Sequence, residues 1–264
     1  MLIKRIISSV LIILFTALAI SIDWLCGLTV TALIIAGLYE FFTMLEKRGI
    51  SIYKYFGIGL GAVIPLSLVY RFELTRNWEF LFVVMGILFL ILMQFRRRQN
   101  TGVIVGISTT IFGILYISWF LSFLIRIRYL PQGALFITAL LLMTKLGDIG
   151  AYLIGSRFGK TPFMPRISPK KTIEGAIGGL LFSVLGALAS RPFLGFSYIN
   201  ILLVGFSLGI LGQLGDLSES LMKRDCQIKD SGGAFPGLGG VLDIMDSLIF
   251  TAPVFYFYIN TLVL

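Results

Sequence analysis

Long, uninterrupted apolar runs separated by short polar segments dominate the hydrophobic pattern of this chain. Many of these runs reach about 20 residues, the length that a helix needs to cross the hydrocarbon core of a bilayer. A transmembrane barrel would instead show short segments in which apolar and polar residues alternate. The pattern therefore predicts an all-α polytopic membrane protein.

We predict about nine transmembrane helices. They are placed at residues 6–22, 24–45, 53–70, 78–95, 103–125, 133–155, 174–196, 198–215 and 247–264. The third and eighth runs are rich in glycine, so the pattern is also compatible with eight or ten spans.

The composition supports a membrane protein, since 57% of the residues are hydrophobic and only 13% are charged. Soluble domains contain about 25% charged residues. The formal net charge of +9 could indicate a nucleic-acid partner. Basic cytoplasmic loops and polyanionic substrates explain the charge better, so we expect no nucleic acid.

The distribution of basic residues predicts the orientation. With a cytoplasmic N-terminus and alternating spans, sixteen of the 22 basic residues fall on the cytoplasmic side and five on the other. Cytoplasmic loops of membrane proteins carry such an excess. We therefore expect a multi-pass protein of the plasma (inner) membrane, with its N-terminus in the cytoplasm and its C-terminus outside. The first run lacks a cleavage site, so we expect it to be retained.

The two halves of the chain differ in polar content. Residues 1–130 contain few polar groups inside helices and are interpreted as a scaffold; Glu40 is an exception, for which capping or snorkelling is favoured over catalysis. Residues 131–264 are interpreted as the catalytic region, with two charged cytoplasmic loops. The glycine-rich stretch 57–61 allows close helix packing. Whether that packing lies within one subunit or in a homodimer is left open.

The sixth predicted helix carries Lys145 and Asp148, three residues apart and therefore on one face. A Lys–Asp pair that ties helices together is one interpretation. Ionisable groups inside membranes also commonly serve a function, so both interpretations stay open.

A basic loop follows at residues 155–179. Ser168 and Pro169 predict a turn and the beginning of a helix, and Thr172 and Glu174 could cap that helix. Lys170 and Lys171 precede it, and cations beside free backbone N–H groups favour phosphate binding. A loop that only sets topology, or that contacts anionic lipid, is an equally weighted alternative.

Residues 212–247 hold six of the thirteen acidic residues. Asp216 is expected at the end of the eighth helix, and Asp243 and Asp246 lie three residues apart near the start of the last one. Carboxylate oxygens suit Mg²⁺, which usually takes one or two of them plus phosphates and water. We favour Asp216 and Asp246 as direct ligands, with Asp148 nearby and Asp243 as a cap or supporting residue.

Other site classes are disfavoured. The chain has two cysteines and no histidine, which makes a zinc site and a Ser–His–Asp set very unfavourable. No P-loop pattern occurs. Carboxylates and cations without histidine suit phosphoryl or nucleotidyl transfer, which depends mainly on positioning and charge neutralisation.

The second half resembles the phosphatidate cytidylyltransferase, or CDP-diacylglycerol synthase, family. The resemblance is dense over residues 147–248 and is carried by GDIGAY, GSRFGK and ISPKKTIEG. It is also carried by a C-terminal signature, matched here by Ser220, Lys223, Arg224, Lys229, Asp230, Pro236, Gly237, Gly239, Gly240, Asp243 and Asp246. Leu238 replaces the family's usual histidine and Ile244 its usual arginine, so an essential acid–base histidine is not expected here.

The resemblance implies that CTP and phosphatidate react to give CDP-diacylglycerol and pyrophosphate with Mg²⁺, and a second cation could share the carboxylates. It implies catalytic roles for Asp216, Asp246, Lys223 and Arg224, and metal ligation by Asp216, Asp246, Asp243 and Asp148. The implied substrate-binding residues are Ser168, Lys170, Lys171, Thr172, Glu174, Ser220, Lys229, Asp230, Gly239 and Gly240. An ion-coupled transporter and an inactive membrane scaffold are the alternatives.

Overall fold

A computed structural model describes residues 2–70, 78–95, 101–234 and 239–263 of the chain. The side chains of residues 2–9, 78–80, 83 and 262–263 are outside this description. Five basic residues used for the orientation, Arg71, Arg76, Arg96, Arg97 and Arg98, lie outside the described residues. Three residues of the glycine-rich turn, Pro236, Gly237 and Leu238, lie outside it as well.

The described part of the chain is almost entirely helical. Its helices are α1 (Leu2–Ser21), α2 (Asp23–Lys47), α3 (Lys54–Val69), α4 (Trp78–Gln94), α5 (Val103–Gly113), α6 (Phe120–Arg128), α7 (Gly133–Phe158), α8 (Ile173–Leu194), α9 (Tyr198–Asp225) and α10 (Val241–Val263). A π-helical segment, Ile114–Trp119, joins α5 to α6, so that Val103–Arg128 is one continuous helix.

Six helices are long and apolar enough to cross a membrane. They are Asp23–Lys47, Val103–Arg128, Gly133–Phe158, Ile173–Leu194, Tyr198–Asp225 and Val241–Thr261. The helical membrane class is thus confirmed, whereas the count of nine spans and the side on which each terminus lies stay predictions.

Two helix boundaries differ from the sequence prediction around residues 212–247. Helix α9 continues to Asp225 rather than ending near Gly215, so the prediction that Asp216 ends a helix is wrong. The charged side chains of its last turns favour the helix. Lys223 forms an ion pair with Glu219 one turn earlier, and cations near a helix C-terminus interact favourably with the helix dipole. Helix α10 begins at Val241 rather than Ser247.

A short antiparallel β-hairpin interrupts the otherwise helical chain, with β1 at Pro162–Met164 and β2 at Ser168–Thr172. The predicted turn at Ser168 is therefore wrong, whereas the helix predicted from residue 174 is present and begins at Ile173. The physical reason lies in three prolines, since the residue before a proline is biased toward extended conformation. Thr161, Met164 and Ser168 each precede one of them.

The hydrophobic core is one cluster that joins both halves of the chain. Helix α8 packs between α7 and α9, and α10 packs against α9, α6 and α2. Leu38 of α2, Met143 of α7 and Phe255 of α10 are fully buried in the same cluster. Many large apolar side chains instead face outward, among them Ile13 and Phe257, as expected for helices that contact lipid.

A proline inside α3 is compensated by a neighbouring helix. Pro65 lacks an N–H group, so the carbonyl of Gly61, four residues earlier, loses its helical donor. The buried Ser118 hydroxyl donates to this carbonyl at 2.5 Å. Because an unsatisfied carbonyl is costly inside a bilayer, this contact lets α3 and the π-helical segment pack closely.

Candidate functional site

Three aspartates from three helices lie together at the junction of α7, α9 and α10. Asp148, Asp216 and Asp246 are here called the acidic cluster, because the charges of Asp216 and Asp148 both act on Asp246 and Asp148 Oδ2 lies 3.5 Å from Ser247 Oγ, next to Asp246. The close approach of α9 and α10 explains the arrangement. A Cβ atom at Gly215 would collide with the carbonyl oxygen of Asp246, so only glycine allows this backbone contact.

The donor set of the acidic cluster can be compared with what Mg²⁺ requires. Within the described ranges, no group of three or more His, Cys, Asp or Glu side chains is arranged to hold a metal ion. Mg²⁺ needs only one or two protein carboxylates when phosphates and water supply the other ligands. Asp216 and Asp246 are a pair of that kind, so the residues present fit this ion.

Lys145 connects α7 to α10 beside the acidic cluster. Its Nζ lies 2.9 Å from Asp148 Oδ2, 3.1 Å from Ser247 Oγ and 3.4 Å from the carbonyl oxygen of Ile244. The Ser247 hydroxyl also lies 3.5 Å from Asp148 Oδ2. The interpretation of Lys145 and Asp148 as a pair that ties helices together is therefore confirmed by its contacts. Sequence reasoning missed Ser247, for which no spacing signal existed.

The β-hairpin brings a cation to the acidic cluster. Lys171 Nζ lies 2.7 Å from Asp216 Oδ2, and the Ser220 hydroxyl lies 3.3 Å from Asp216 Oδ1. The ion pair is partly exposed, with 29% of the Lys171 side chain and 38% of the Asp216 side chain accessible. Lys170 is adjacent on β2 and exposed. Lys171 therefore supplies a partly exposed cation in direct contact with Asp216.

Arg224 holds the hairpin against α9. Its Nε donates to the carbonyl of Ile167 at 3.1 Å, and a terminal nitrogen donates to the carbonyl of Ile228 at 3.2 Å. The side chain is exposed, so it bonds to backbone while part of it faces solvent. These contacts show what Arg224 positions; its catalytic role stays a prediction.

Lys223 lies apart from Lys171, in a buried ion-pair network. Its ammonium contacts Glu219 of the same helix and Asp243 of α10, the latter at 2.5 Å. Only 11% of the Lys223 side chain and 3% of the Glu219 side chain are accessible. The sequence prediction omitted Glu219, although its spacing of four residues from Lys223 is a recognised pairing signal.

Asp243 closes the start of α10. Its Oδ2 accepts hydrogen bonds from the Gly240 amide at 2.6 Å, from the Ser231 hydroxyl at 2.9 Å and from the Ser231 amide at 3.2 Å. Gly239 has a φ of +98° and a Cβ there would lie 2.6 Å from Asp243 Oδ2. This is the capping role that the sequence favoured for Asp243, and it separates this residue from the acidic cluster.

Two residues predicted to bind substrate have local structural contacts. Thr172 Oγ1 accepts from the Gly175 amide at 3.2 Å and caps α8, as the sequence predicted. The Glu174 carboxylate instead accepts from the amides of Lys160 and Thr161 at 3.1 and 3.2 Å. These bonds fix the hairpin to α8, and Glu174 lies in the first turn of that helix, where its help in capping stays a prediction.

The other predicted substrate-binding residues surround this region. Ser168 lies on β2, and Lys229 and Asp230 are exposed after α9. Gly240 is buried where the loop meets α10. Their contact with a substrate stays a prediction.

The two cysteines are free and buried. Cys226 follows the last residue of α9, where burial and the neighbouring Asp225 charge raise the pKa of its thiol. A neutral thiol is a poor metal ligand, which agrees with a site built from oxygen donors.

Glu40 of α2 reaches the same region from the first half of the chain. Its carboxylate accepts hydrogen bonds from the amides of Val241 and Leu242, each at 3.0 Å. The capping interpretation of Glu40 is therefore confirmed, but the capped helix is α10, some two hundred residues away in sequence. Sequence spacing gives no signal for such a contact.

Comparison with known proteins identifies the family. A family model described as "Cytidylyltransferase family" matches residues 3–262. A Synechocystis protein named phosphatidate cytidylyltransferase is 33% identical over 97% of this chain and 96% of its own length. Proteins of the same name from Thermotoga maritima and Bacillus subtilis are 33% and 35% identical, over 96% and 76% of this chain and over 94% and 78% of their own lengths. The chain therefore belongs to the cytidylyltransferase family.

Proposed function

We propose that this protein is a phosphatidate cytidylyltransferase, which converts CTP and phosphatidate into CDP-diacylglycerol and pyrophosphate. One observation carries the proposal most directly. In a chain that matches a cytidylyltransferase family over almost its whole length, Lys171 of the hairpin is in contact with Asp216 of an acidic cluster built from three helices. Cations next to carboxylates suit a reaction in which charged phosphates must be held and neutralised.

The proposed cytidylyl transfer needs little general acid or general base catalysis. An oxygen of the lipid phosphate forms a new bond to the α-phosphorus of CTP, and the bond from that phosphorus to the β-phosphate oxygen breaks, releasing pyrophosphate. A phosphate monoester has a second pKa of about 6, so it is largely ionised near neutral pH. The absence of histidine from the chain is compatible with this reaction.

We assign each basic residue of the site a role from its position in the structure. Lys171 lies beside Asp216 and would contact the triphosphate, and the exposed Lys170 and Lys229 would add positive charge. Arg224 would hold the hairpin in place through its bond to Ile167. The buried Lys223 would keep α9 and α10 in register through Glu219 and Asp243.

We propose that Asp216 and Asp246 hold Mg²⁺, with Asp148 close enough to share a second cation. When bound, such ions neutralise charge on the transferred phosphoryl group.

The membrane arrangement follows from the same reasoning. We propose nine spans in the plasma (inner) membrane, a cytoplasmic N-terminus, an external C-terminus and a cytoplasmic site, with the acyl chains of phosphatidate left in the bilayer. A homodimer that uses the first helices is also proposed. Cysteines introduced at the exposed Lys229 and at the exposed Gly195 should be labelled by an impermeant maleimide from opposite sides of sealed vesicles.

Purified protein with labelled CTP, phosphatidate and varied Mg²⁺ tests the activity. We expect labelled CDP-diacylglycerol and pyrophosphate in equal amounts, loss of both with EDTA and recovery with Mg²⁺. A liposome ion-flux measurement on the same preparation tests the transporter alternative. Ion flux without product, or neither activity in correctly folded protein, would contradict the proposal.

A further inference from the structure

The start of α10 is held by a carboxylate from the opposite half of the chain. Glu40 is buried in α2, with 8% of the residue exposed. Its Oε1 accepts from the Val241 amide at 3.0 Å, and its Oε2 accepts from the Leu242 amide at 3.0 Å and from the Ser231 hydroxyl at 3.1 Å. Two backbone amides of α10 therefore donate to one side chain, and the Ser231 hydroxyl lies between Glu40 Oε2 and Asp243 Oδ2, which share its single proton.

These bonds give hydrogen-bond acceptors to the first backbone amides of α10. The N-terminal N–H groups of a helix have no partner within the helix, and here the preceding residues Gly239 and Gly240 carry no side chain that could supply one. Asp243 accepts from the Gly240 amide, and Glu40 accepts from the next two. A carboxylate is the favoured group at this position, because the helix dipole and the free N–H groups both attract negative charge.

The glycines of the loop leave room for this carboxylate. A Cβ at Gly240 would lie 2.5 Å from Glu40 Oε2, and a Cβ at Gly232 would collide with Glu40 Oε1. The loop therefore packs against the Glu40 side chain of α2 so closely that a side chain at Gly232 or Gly240 would collide with the carboxylate.

The contact also determines where the acidic residues of α10 point. Asp243 is the third residue of α10 and Asp246 the sixth, and Asp246 lies about 6 Å along the helix axis from Leu242. A shift or rotation of the helix start would move both carboxylates relative to Lys223 and to Asp216.

We propose that Glu40 is a positioning residue for cytidylyl transfer, which fixes the start of α10 and thereby the placement of Asp243 and Asp246. The first half of the chain then contributes to the site itself. Glu40 acts through α10 and does not touch the reacting phosphates. This inference rests on the proposed function where it concerns turnover, but the contact that it describes can be tested without turnover.

The test compares Glu40→Gln with Glu46→Gln. Glutamine keeps the length of the side chain but removes the charge and turns one acceptor into a donor, which opposes a backbone N–H. Glu46 lies on the same helix, is exposed and pairs with Lys54, so it controls for loss of a carboxylate on α2. The measurements are kcat and KM for CTP, thermal stability in detergent, and hydrogen exchange of peptides covering 241–250 and 176–190.

For Glu40→Gln we expect kcat to fall about tenfold or more, since one charge-assisted hydrogen bond is of that order, with KM for CTP within about twofold of wild type. Exchange at the start of α10 should accelerate by a similar factor, whereas the α8 peptide should not change. Glu46→Gln should match wild type in kcat and in hydrogen exchange at the start of α10.

Two results would overturn the inference. One is wild-type kcat together with unchanged exchange in 241–250. The other is a uniform rise in exchange across all helices, with activity lost only in proportion to folded protein, which would make Glu40 a general fold contact. If wild-type protein transfers no cytidylyl group, the proposed function fails, and the exchange comparison still decides whether Glu40 fixes α10.

Discussion

Replacement of Lys223 by methionine tests whether the site depends on the buried network that the structure shows. Methionine has a similar length and keeps the apolar stem, but it removes the ammonium that Glu219 and Asp243 share. The family resemblance implies a catalytic role for Lys223, whereas its contacts place it between two carboxylates. The two interpretations predict different results.

The magnitude follows from burial. Only 11% of the Lys223 side chain, 3% of Glu219 and 13% of Asp243 are accessible. Within the described part of the chain, the Glu219 carboxylate has no partner besides Lys223. Removing one member of a buried pair strands the other charge and costs about 3–5 kcal/mol. Asp243 would lose less, because Ser231 and Gly240 still donate to it.

A double-mutant cycle isolates this effect. Lys223→Met should lower the free energy of unfolding by about 3–5 kcal/mol, and adding Glu219→Gln should recover about half of the loss, because the stranded charge is then neutral. Lys229→Met, a change at an exposed lysine, is the matched control and should stay within about 0.5 kcal/mol of wild type. Unfolding is followed by fluorescence and size-exclusion chromatography in detergent.

The reasoning would be refuted if Lys223→Met were as stable as wild type but had a strongly raised KM for CTP. Lys223 would then act as a free phosphate ligand, and the buried network would have no energetic importance. A double variant no more stable than Lys223→Met would refute the role assigned to the Glu219 charge.

Two further predictions concern the acidic cluster. Lys171→Gln should raise KM for CTP about tenfold while unfolding changes by no more than about 1 kcal/mol, because the Lys171–Asp216 pair is partly exposed; a steady-state CTP titration and a melt check this, and an unchanged KM would remove Lys171 from the site. Gly215→Ala should destabilise the protein by about 1–3 kcal/mol and reduce turnover, since its Cβ meets the Asp246 carbonyl. Gly59→Ala is the control, because a Cβ there has nothing within 4 Å, and equal behaviour of the two variants would contradict the close contact of α9 and α10.

The apolar runs predict the helical membrane class of this fold, because a continuous hydrophobic run of about 20 residues favours a membrane helix, and six helices are long and apolar enough to cross a membrane. The ends of helices were harder to predict. The density of charge after Gly215 predicts a loop, but Glu219 and Lys223 have helical spacing and α9 extends to Asp225. Hydropathy alone does not distinguish a charged helix that is buried against its neighbours from a charged loop.

Local rules also explain part of the candidate site. The position of Thr172 before the helix predicts the cap that it forms on α8, and the three residues that precede prolines favour the extended conformation of the β-hairpin. The contact between Glu40 and α10 follows no local rule, because it joins residues some two hundred positions apart. The pairing of Lys171 with Asp216 likewise depends on how the hairpin folds back onto α9. Such contacts arise from tertiary packing, and the spacing of residues along a single sequence does not reveal them.

The central claim is that Asp246, on which the charges of Asp216 and Asp148 act, is required for cytidylyl transfer. The most direct measurement compares wild type with Asp246→Ala, purified from membranes, in Mg²⁺-dependent conversion of labelled CTP and phosphatidate. We predict product with wild type and a loss of at least about a thousandfold in kcat with the variant, which should insert into the membrane and elute from a size-exclusion column like wild type. Wild-type rates of CDP-diacylglycerol formation by Asp246→Ala would contradict the account.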